Sequence, residues 1–178
     1  MRDSGSRRAW GWYCLADEWA ARVVADAGIR PGQLVIDLGA GTGALTAPLV
    51  ATGARVIAVE LHPGRARQLR DRFAGSDVTV VERDLATFRW PSRPFRVLAN
   101  PPYEGATALL RGLLDRRNGL VAADLVLPRA LALRSCARAR AGRFRGFELS
   151  LGRSLPGVAF RPTPRVDSAV LVVRRRGR

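Results

Sequence analysis

The apolar residues of this chain fall into short blocks, and the blocks keep two different periods. Leu34 to Leu38, Arg55 to Glu60, Val78 to Val81, Phe95 to Ala99 and Leu120 to Leu127 are compact runs dominated by Val, Ile, Leu and Ala. Runs this short, without polar alternation, predict strands covered on both faces. Phe147 to Leu151 and Ala169 to Val173 predict two more. Between the runs the apolar residues recur at helical spacing. Trp19, Ala20, Val23, Val24 and Ala27 mark a helix over Asp17 to Ala27. Further helices are predicted over Ala44 to Ala51, Arg65 to Phe73 and Pro128 to Ala141, while Leu109, Leu110, Leu113 and Leu114 form the apolar face of another. Gly28, the Arg30-Pro31-Gly32 turn and Gly53 separate these elements. Strand and helix in alternation predict an α/β fold around a doubly wound, mostly parallel sheet.

Length narrows this to one domain, since 178 residues enclose one sizeable core and not two. We expect a basic arm over 1–12, the globular domain over 13–174 and a basic tail over 175–178. No apolar run is long enough to span a bilayer, and Met1 to Tyr13 lacks the apolar segment of a secretory signal. Cys14 and Cys136 are too few for a disulfide framework, which fits a reducing cytoplasm. No metal is expected, and the one histidine, His62, stands in a His-Pro turn where it starts a helix.

Charge changes the picture more. The chain holds 30 basic and 15 acidic residues, for a net charge of +15, and every basic residue is arginine. A GC-rich genome explains arginine in place of lysine but not the excess over acid. The excess predicts a polyanionic partner, most simply nucleic acid. Arg7-Arg8-Ala9-Trp10-Gly11-Trp12-Tyr13 interleaves cations with aromatics, as a surface that grips phosphates and stacks on bases does. It equally fits an arm packed on its own domain. Arg7, Arg8, Trp10, Arg129, Arg134, Arg138, Arg143, Arg174, Arg175 and Arg176 are the candidate contacts.

The candidate chemistry begins where the first of the long strands ends, at Asp37-x-Gly39-x-Gly41-x-Gly43. Glycines here allow a sharp turn and let a ligand lie against backbone N–H groups. A nucleotide-like cofactor is therefore predicted at the carboxyl end of that strand. Glu60, at the end of the next strand, lies seventeen residues past Gly43, near the spacing at which a carboxylate reaches a ribose diol. After the third strand, Asp84 is placed to accept from an adenine amino group with Leu85 packed on the ring; Glu82 is the alternative. After the fourth comes Asn100-Pro101-Pro102-Tyr103. An exocyclic amino group is a poor nucleophile because its lone pair is delocalised into the ring. A side-chain carbonyl at Asn100 and a backbone carbonyl at Pro101 can take both N–H hydrogens out of the ring plane. The prolines hold those oxygens in aim and Tyr103 can stack on the base. Rate then comes from positioning and aimed dipoles.

These residues, with Phe160-x-Pro162-x-Pro164-x-Val166-Asp167-Ser168-Ala169, resemble the ribosomal RNA adenine N6-methyltransferases. That family includes the macrolide-resistance (Erm) enzymes and the small-subunit dimethyladenosine transferases. The resemblance runs from about residue 7 to 175. Val121 to Arg129 and the Arg-Arg-x-Trp-Gly-Trp start look like the short actinobacterial Erm enzymes of mycobacterial type. It implies a class I S-adenosylmethionine (SAM)-dependent methyltransferase fold, Rossmann-like with seven strands. It implies SAM held by Leu15, Asp37, Gly39, Gly41, Gly43, Glu60, Leu61, Asp84, Leu85 and Asn100. Catalysis would fall to Asn100, Pro101, Tyr103 and Phe160, with Phe160 packed on the target adenine opposite Tyr103. The implied substrate is an adenine in the macrolide-binding region of large-subunit ribosomal RNA, modified by a monomer. Two departures stand out. Trp12-Tyr13-Cys14-Leu15 replaces the usual Gln-Asn-Phe-Leu, so only Leu15 carries over. We also expect no helical C-terminal domain, in which case RNA grip would fall to the arginines. DNA adenine and protein glutamine methyltransferases share the Asn-Pro-Pro-Tyr loop, and a non-catalytic RNA-binding or ribosome-assembly factor could keep the fold. These readings stay open on the residues alone.

Overall fold

A computed structural model describes residues 13–177. Its core is a seven-stranded sheet. In chain order the strands are β2 (Leu34–Leu38), β3 (Arg55–Glu60), β4 (Val78–Glu82), β5 (Phe95–Ala99), β6 (Leu120–Pro128), β7 (Phe147–Leu155) and β9 (Ser168–Arg175). They lie side by side as β4-β3-β2-β5-β6-β9-β7. The first five are parallel, whereas β9 runs antiparallel to both β6 and β7. A second, two-stranded sheet pairs β1 (Cys14–Leu15) with β8 (Phe160–Arg161). The apolar pattern does not reveal these two strands, because two residues carry no period.

Five helices cover the sheet: α1 (Asp17–Ala27), α2 (Thr46–Ala51), α3 (Pro63–Arg72), α4 (Ala106–Leu113) and α5 (Arg129–Arg140). Alternate strand residues feed opposite faces, as the pleat requires. Leu34, Ile36, Leu38, Phe95, Val97 and Ala99 pack with α4 and α5 through Leu110, Leu113, Ala132 and Cys136. Val35, Leu98, Val126 and Val170 pack with α1 and α2 through Ala20, Val23, Val24 and Leu49. Both faces are covered, which is why the strands read as unbroken apolar runs.

Several boundaries move, among them the end of β7, which runs past Leu151 to Leu155. Helix α2 begins at Thr46 rather than Ala44, because residues 40–45 are spent turning the chain. Helix α3 begins at Pro63, where His62 Nδ1 accepts from the Gly64 and Arg65 amides. His62 is thus the helix-starting residue its turn predicted. Strand β9 continues through Arg175, so the expected tail at Arg174 and Arg175 is strand instead.

The sheet contains one buried charge cluster that the sequence pattern does not announce. Asp124, in mid-β6, receives both terminal nitrogens of Arg174 at 3.0 and 3.1 Å and lies 3.6 Å from Arg96 Nη2. Arg96 also donates to the Ala27 and Gly28 carbonyls at the end of α1, where a cation meets the negative end of the helix. Burial pushes the Asp124 carboxyl up against the pull of both arginines.

Candidate active site

The chain reverses its winding at β2. β3 lies on one side of it and β5, reached only after β4, on the other. A crevice opens outside the carboxyl ends of the strands at such a switch point. Asp37, Gly39, Glu60, Asp84 and Asn100 all leave their strands at this end. Because β9 is antiparallel, its first residue, Ser168, pairs with Pro128 at the same end of the sheet. The topology therefore carries the Phe160–Ser168 motif to the Asn-Pro-Pro-Tyr loop.

A cavity of about 450 Å³ occupies the crevice. Glu60, Leu61, Asp84, Leu85, Pro101 and Pro102 contribute to its wall. A much smaller hollow lies beyond Gly39, lined by Leu15, Asp37, Ala40 and Asn100 among others. Gly39 faces both. A Cβ there would meet Pro102 Cδ at 3.7 Å, so the glycine loop and the proline loop lie in van der Waals contact.

The Glu60 carboxylate is built into the floor. One oxygen accepts from the Gly41 amide and the other from the His62 amide, both at 2.8 Å, and Arg65 Nε stands 3.5 Å away. Each oxygen keeps a further lone pair for a ligand hydroxyl. Asp84 accepts from the Ala86 amide at 2.8 Å and faces the cavity from an exposed turn. Glu82 instead pairs with Arg70 at 3.6 Å, so of these two carboxylates it is Asp84 that lines the cavity.

Asp37 is only 1% exposed. Its one side-chain partner is the Thr46 hydroxyl, 2.7 Å away. Burial pushes its carboxyl up to about 7; the Thr46 bond opposes the rise and the nearby Glu60 charge adds to it.

The glycine loop works differently from the expectation. The amides of Gly39 and Ala40 bond the Val59 carbonyl, Gly41 bonds Glu60, and Gly43 bonds the Ala40 carbonyl. These four N–H groups are spent inside the protein and are not offered to a ligand. Gly41 and Gly43 line neither hollow. Gly43 is required by its φ of 90° and by space, since a Cβ would come within 2.8 Å of the Phe73 ring. Arg72 reaches back to the Thr42 carbonyl at 2.7 Å and ties the loop to α3.

In the Asn-Pro-Pro-Tyr loop, Asn100 Nδ2 donates to the Tyr13 carbonyl at 2.6 Å. That bond turns Oδ1 the other way, and among the described residues Oδ1 has no partner. Tyr103 bonds Ser168 Oγ through its hydroxyl at 2.5 Å. Burial pushes the phenol up, so it stays protonated at neutral pH. The Tyr103 ring lies 5.2 Å from the Tyr13 ring at 38°.

Two sequence expectations require correction here. Phe160 is 2% exposed, lies in the core among Leu15, Ala20 and Val24, and lines neither hollow. Its backbone pairs with Leu15, and this pairing turns the ring inward, so it does not face the site. The basic tail fails for a similar reason. Arg174 is locked on Asp124, and Arg175 donates to the Leu120, Asn118 and Arg116 carbonyls. Both stand at the far end of β9, opposite the crevice. Arg176 is exposed at that same far end, where its amide bonds the Gly146 carbonyl.

The other candidate arginines divide along α5. Arg129, at its start, bonds the Asp167 carbonyl through its amide and Ser154 through its side chain, so it flanks the site. Arg134 and Arg138 are exposed but recede down a helix about 18 Å long, and Arg143 is exposed in the turn past its end. Arg7, Arg8 and Trp10 lie outside the described residues. Sequence reasoning passed over Arg161, at the end of β8, and Arg165, on the segment that joins β8 to β9, both exposed beside the site. Their signal was available, as two cations that flank the prolines of the Phe160 motif, Arg161 before Pro162 and Arg165 after Pro164.

The profile of the family described as ribosomal RNA adenine dimethylase matches residues 11–178. The mycinamicin-resistance protein MyrB of Micromonospora griseorubida is 34% identical over 97% of this chain and 57% of its own length. The ribosomal RNA small subunit methyltransferase A of Anaeromyxobacter dehalogenans is 33% identical over 95% of this chain and 67% of its own. The crystal structure of the 23S rRNA methyltransferase ErmE superposes with a TM-score of 0.84 at 29% identity, covering 92% of this chain and 70% of that one. The chain thus spans little more than half the length of MyrB. The shared architecture is that of class I SAM-dependent methyltransferases.

Proposed function

This chain belongs to the ribosomal RNA adenine dimethylase family, and on that premise we propose that it methylates N6 of an adenine in the macrolide-binding region of large-subunit ribosomal RNA. The consequence would be lowered susceptibility to macrolide-type drugs. The observation that carries the reading is Asn100, whose Nδ2 donates to the Tyr13 carbonyl while Oδ1 is left to accept. It lies on a proline loop in contact with the glycine loop.

The residues fit SAM. A cavity of this size with a carboxylate floor at Glu60, an acceptor at Asp84 and apolar walls at Leu61 and Leu85 suits an adenosine group. The small hollow beside Leu15, Asp37 and Asn100 would take the amino-acid end. SAM supplies an electrophilic methyl on sulfur. Asn100 Oδ1 and the Pro101 carbonyl would take the two N6 hydrogens and draw the nitrogen lone pair out of conjugation. Tyr103 would carry the base. The methyl would pass to N6 with the carbon–sulfur electron pair left on sulfur, while Asn100 and Pro101 hold the amino group in line. The surplus N6 proton then leaves to water. No strong base is needed, because the methylated nitrogen is acidic.

RNA would lie across the rim carrying Arg129, Arg161 and Arg165, with the target adenine unpaired or splayed from its stack. Likeness to MyrB and ErmE supports a large-subunit target. Likeness to the small-subunit methyltransferase supports a second reading, an adenine of small-subunit ribosomal RNA. Methylation mapping of both ribosomal RNAs, from cells with and without the chain and beside an Asn100→Ala control, separates them. A new N6-methyladenine in the macrolide region, absent in the control, is the expected result. A mark only on small-subunit RNA would select the second reading, and no mark on either would refute both. Among the described residues no helix is long and apolar enough to cross a membrane.

A further inference from the structure

Tyr13 occupies an unusual position. It stands directly before β1, which pairs with β8. Its carbonyl receives Asn100 Nδ2 at 2.6 Å. Its ring lies against the ring of Tyr103, with centroids 5.2 Å apart. That is direct aromatic contact, with no gap for a base between the rings. The Tyr103 ring is anchored at its far end through Ser168, and its loop is stiffened by Pro101 and Pro102. Phe160, the other aromatic of the motif, is buried and offers no second wall.

We propose that Tyr13 is a positioning residue whose carbonyl aims Asn100 while its ring holds the place of the target base on Tyr103. This rests on the adenine-methylation reading and deepens it. The two functions belong to one residue but to separable parts of it. Rotation about the Cα–Cβ bond removes the ring and leaves the carbonyl in place. An arriving adenine therefore displaces the Tyr13 ring from Tyr103 without releasing Asn100, whose Oδ1 remains directed at the incoming amino group. The ring competes with the base, so RNA binding works against that contact.

The test uses the full chain, SAM and an unstructured RNA oligonucleotide with a single adenine. Tyr13→Ala is expected to lower KM for the oligonucleotide about two- to ten-fold, the range of one aromatic contact, without raising kcat. Tyr13→Phe, which keeps ring and carbonyl, should match the parent in both. A merely structural role would lower kcat and leave KM unchanged or higher, and that result would overturn the proposal. Tyr13→Leu keeps apolar bulk and replaces Tyr13→Ala should thermal unfolding show the latter poorly folded. A second readout needs no turnover. With 2-aminopurine in place of the adenine, fluorescence titration should show Tyr13→Ala binding more tightly than the parent by a similar factor, and equal or weaker binding would refute the inference. Absence of methyl transfer by the parent chain would count against the enzymatic reading instead, while the titration would still decide the role of the ring.

Discussion

Asp37 should make the folded chain lose stability as pH rises through the mildly acidic range. The carboxyl is buried beneath the glycine loop with one hydroxyl partner, and burial lifts it from its ordinary 3.8 to about 7. Between those values the native state keeps a proton that the unfolded state has lost. Stability falls with pH wherever the native state binds more protons. The rise covers roughly three pH units at about 1.4 kcal/mol each, so the loss approaches ~4 kcal/mol between about pH 4 and 7. Above 7 the contribution is level. Asp37→Asn keeps the shape and removes the titration. Urea unfolding of the parent and Asp37→Asn across this range gives the difference curve, in which carboxylates elsewhere cancel. The parent should lose ground to the variant steadily as pH rises. Parallel profiles would refute the reasoning, because they would mean that Asp37 is solvated or paired in a way its 1% exposure contradicts. A cationic ligand at this end of the site favours the ionised form. SAM affinity by calorimetry should accordingly rise from pH 6 to 8 in the parent and stay flat in Asp37→Asn.

Asn100→Asp should abolish transfer as fully as Asn100→Ala, since a carboxylate oxygen would face the Tyr13 carbonyl where an NH₂ now donates at 2.6 Å; single-turnover methylation measures this, and retained activity would sink the orientation argument. Phe160→Ala should destabilise the chain by about 3–5 kcal/mol in urea unfolding, the cost of emptying a buried aromatic site, and a loss under about 1 kcal/mol would mean the ring faces the crevice after all. Asp124→Ala should cost about 3–5 kcal/mol by the same assay, because Arg96 and Arg174 would then share a pocket with no counter-charge. Reversing Arg161 and Arg165 to Glu should weaken RNA binding and flatten its salt dependence more than Arg176→Glu does, as read by filter binding at several ionic strengths.

The seven sheet strands were legible because each is covered on both faces, so burial writes itself as an unbroken apolar run. The placement of the glycine loop, Glu60, Asp84 and Asn100 was legible because each lies at or within two residues of a strand's end. A residue at a strand's carboxyl end is delivered to the crevice by the parallel sheet, wherever the strand lies in the order. Those relations are local in sequence, and the chain alone determined them.

Other properties depended on which segments meet. Phe160 reads in sequence like a base-stacking aromatic, yet pairing with Leu15, some 145 residues earlier by number, turns it into the core. Arg174 and Arg175 read like a solvated tail, yet the antiparallel course of β9 sends them to the end of the sheet away from the site and onto internal acceptors. An arginine looks the same in sequence whether it pairs with Asp124 or, like Arg161 and Arg165, stands exposed at the rim. Nor does any local pattern show that the Tyr13 carbonyl orients Asn100. Periodicity and turn chemistry act over a few residues and were enough to specify the elements. Side-chain partners across strands are set by register and strand direction, and these the tertiary structure alone decided.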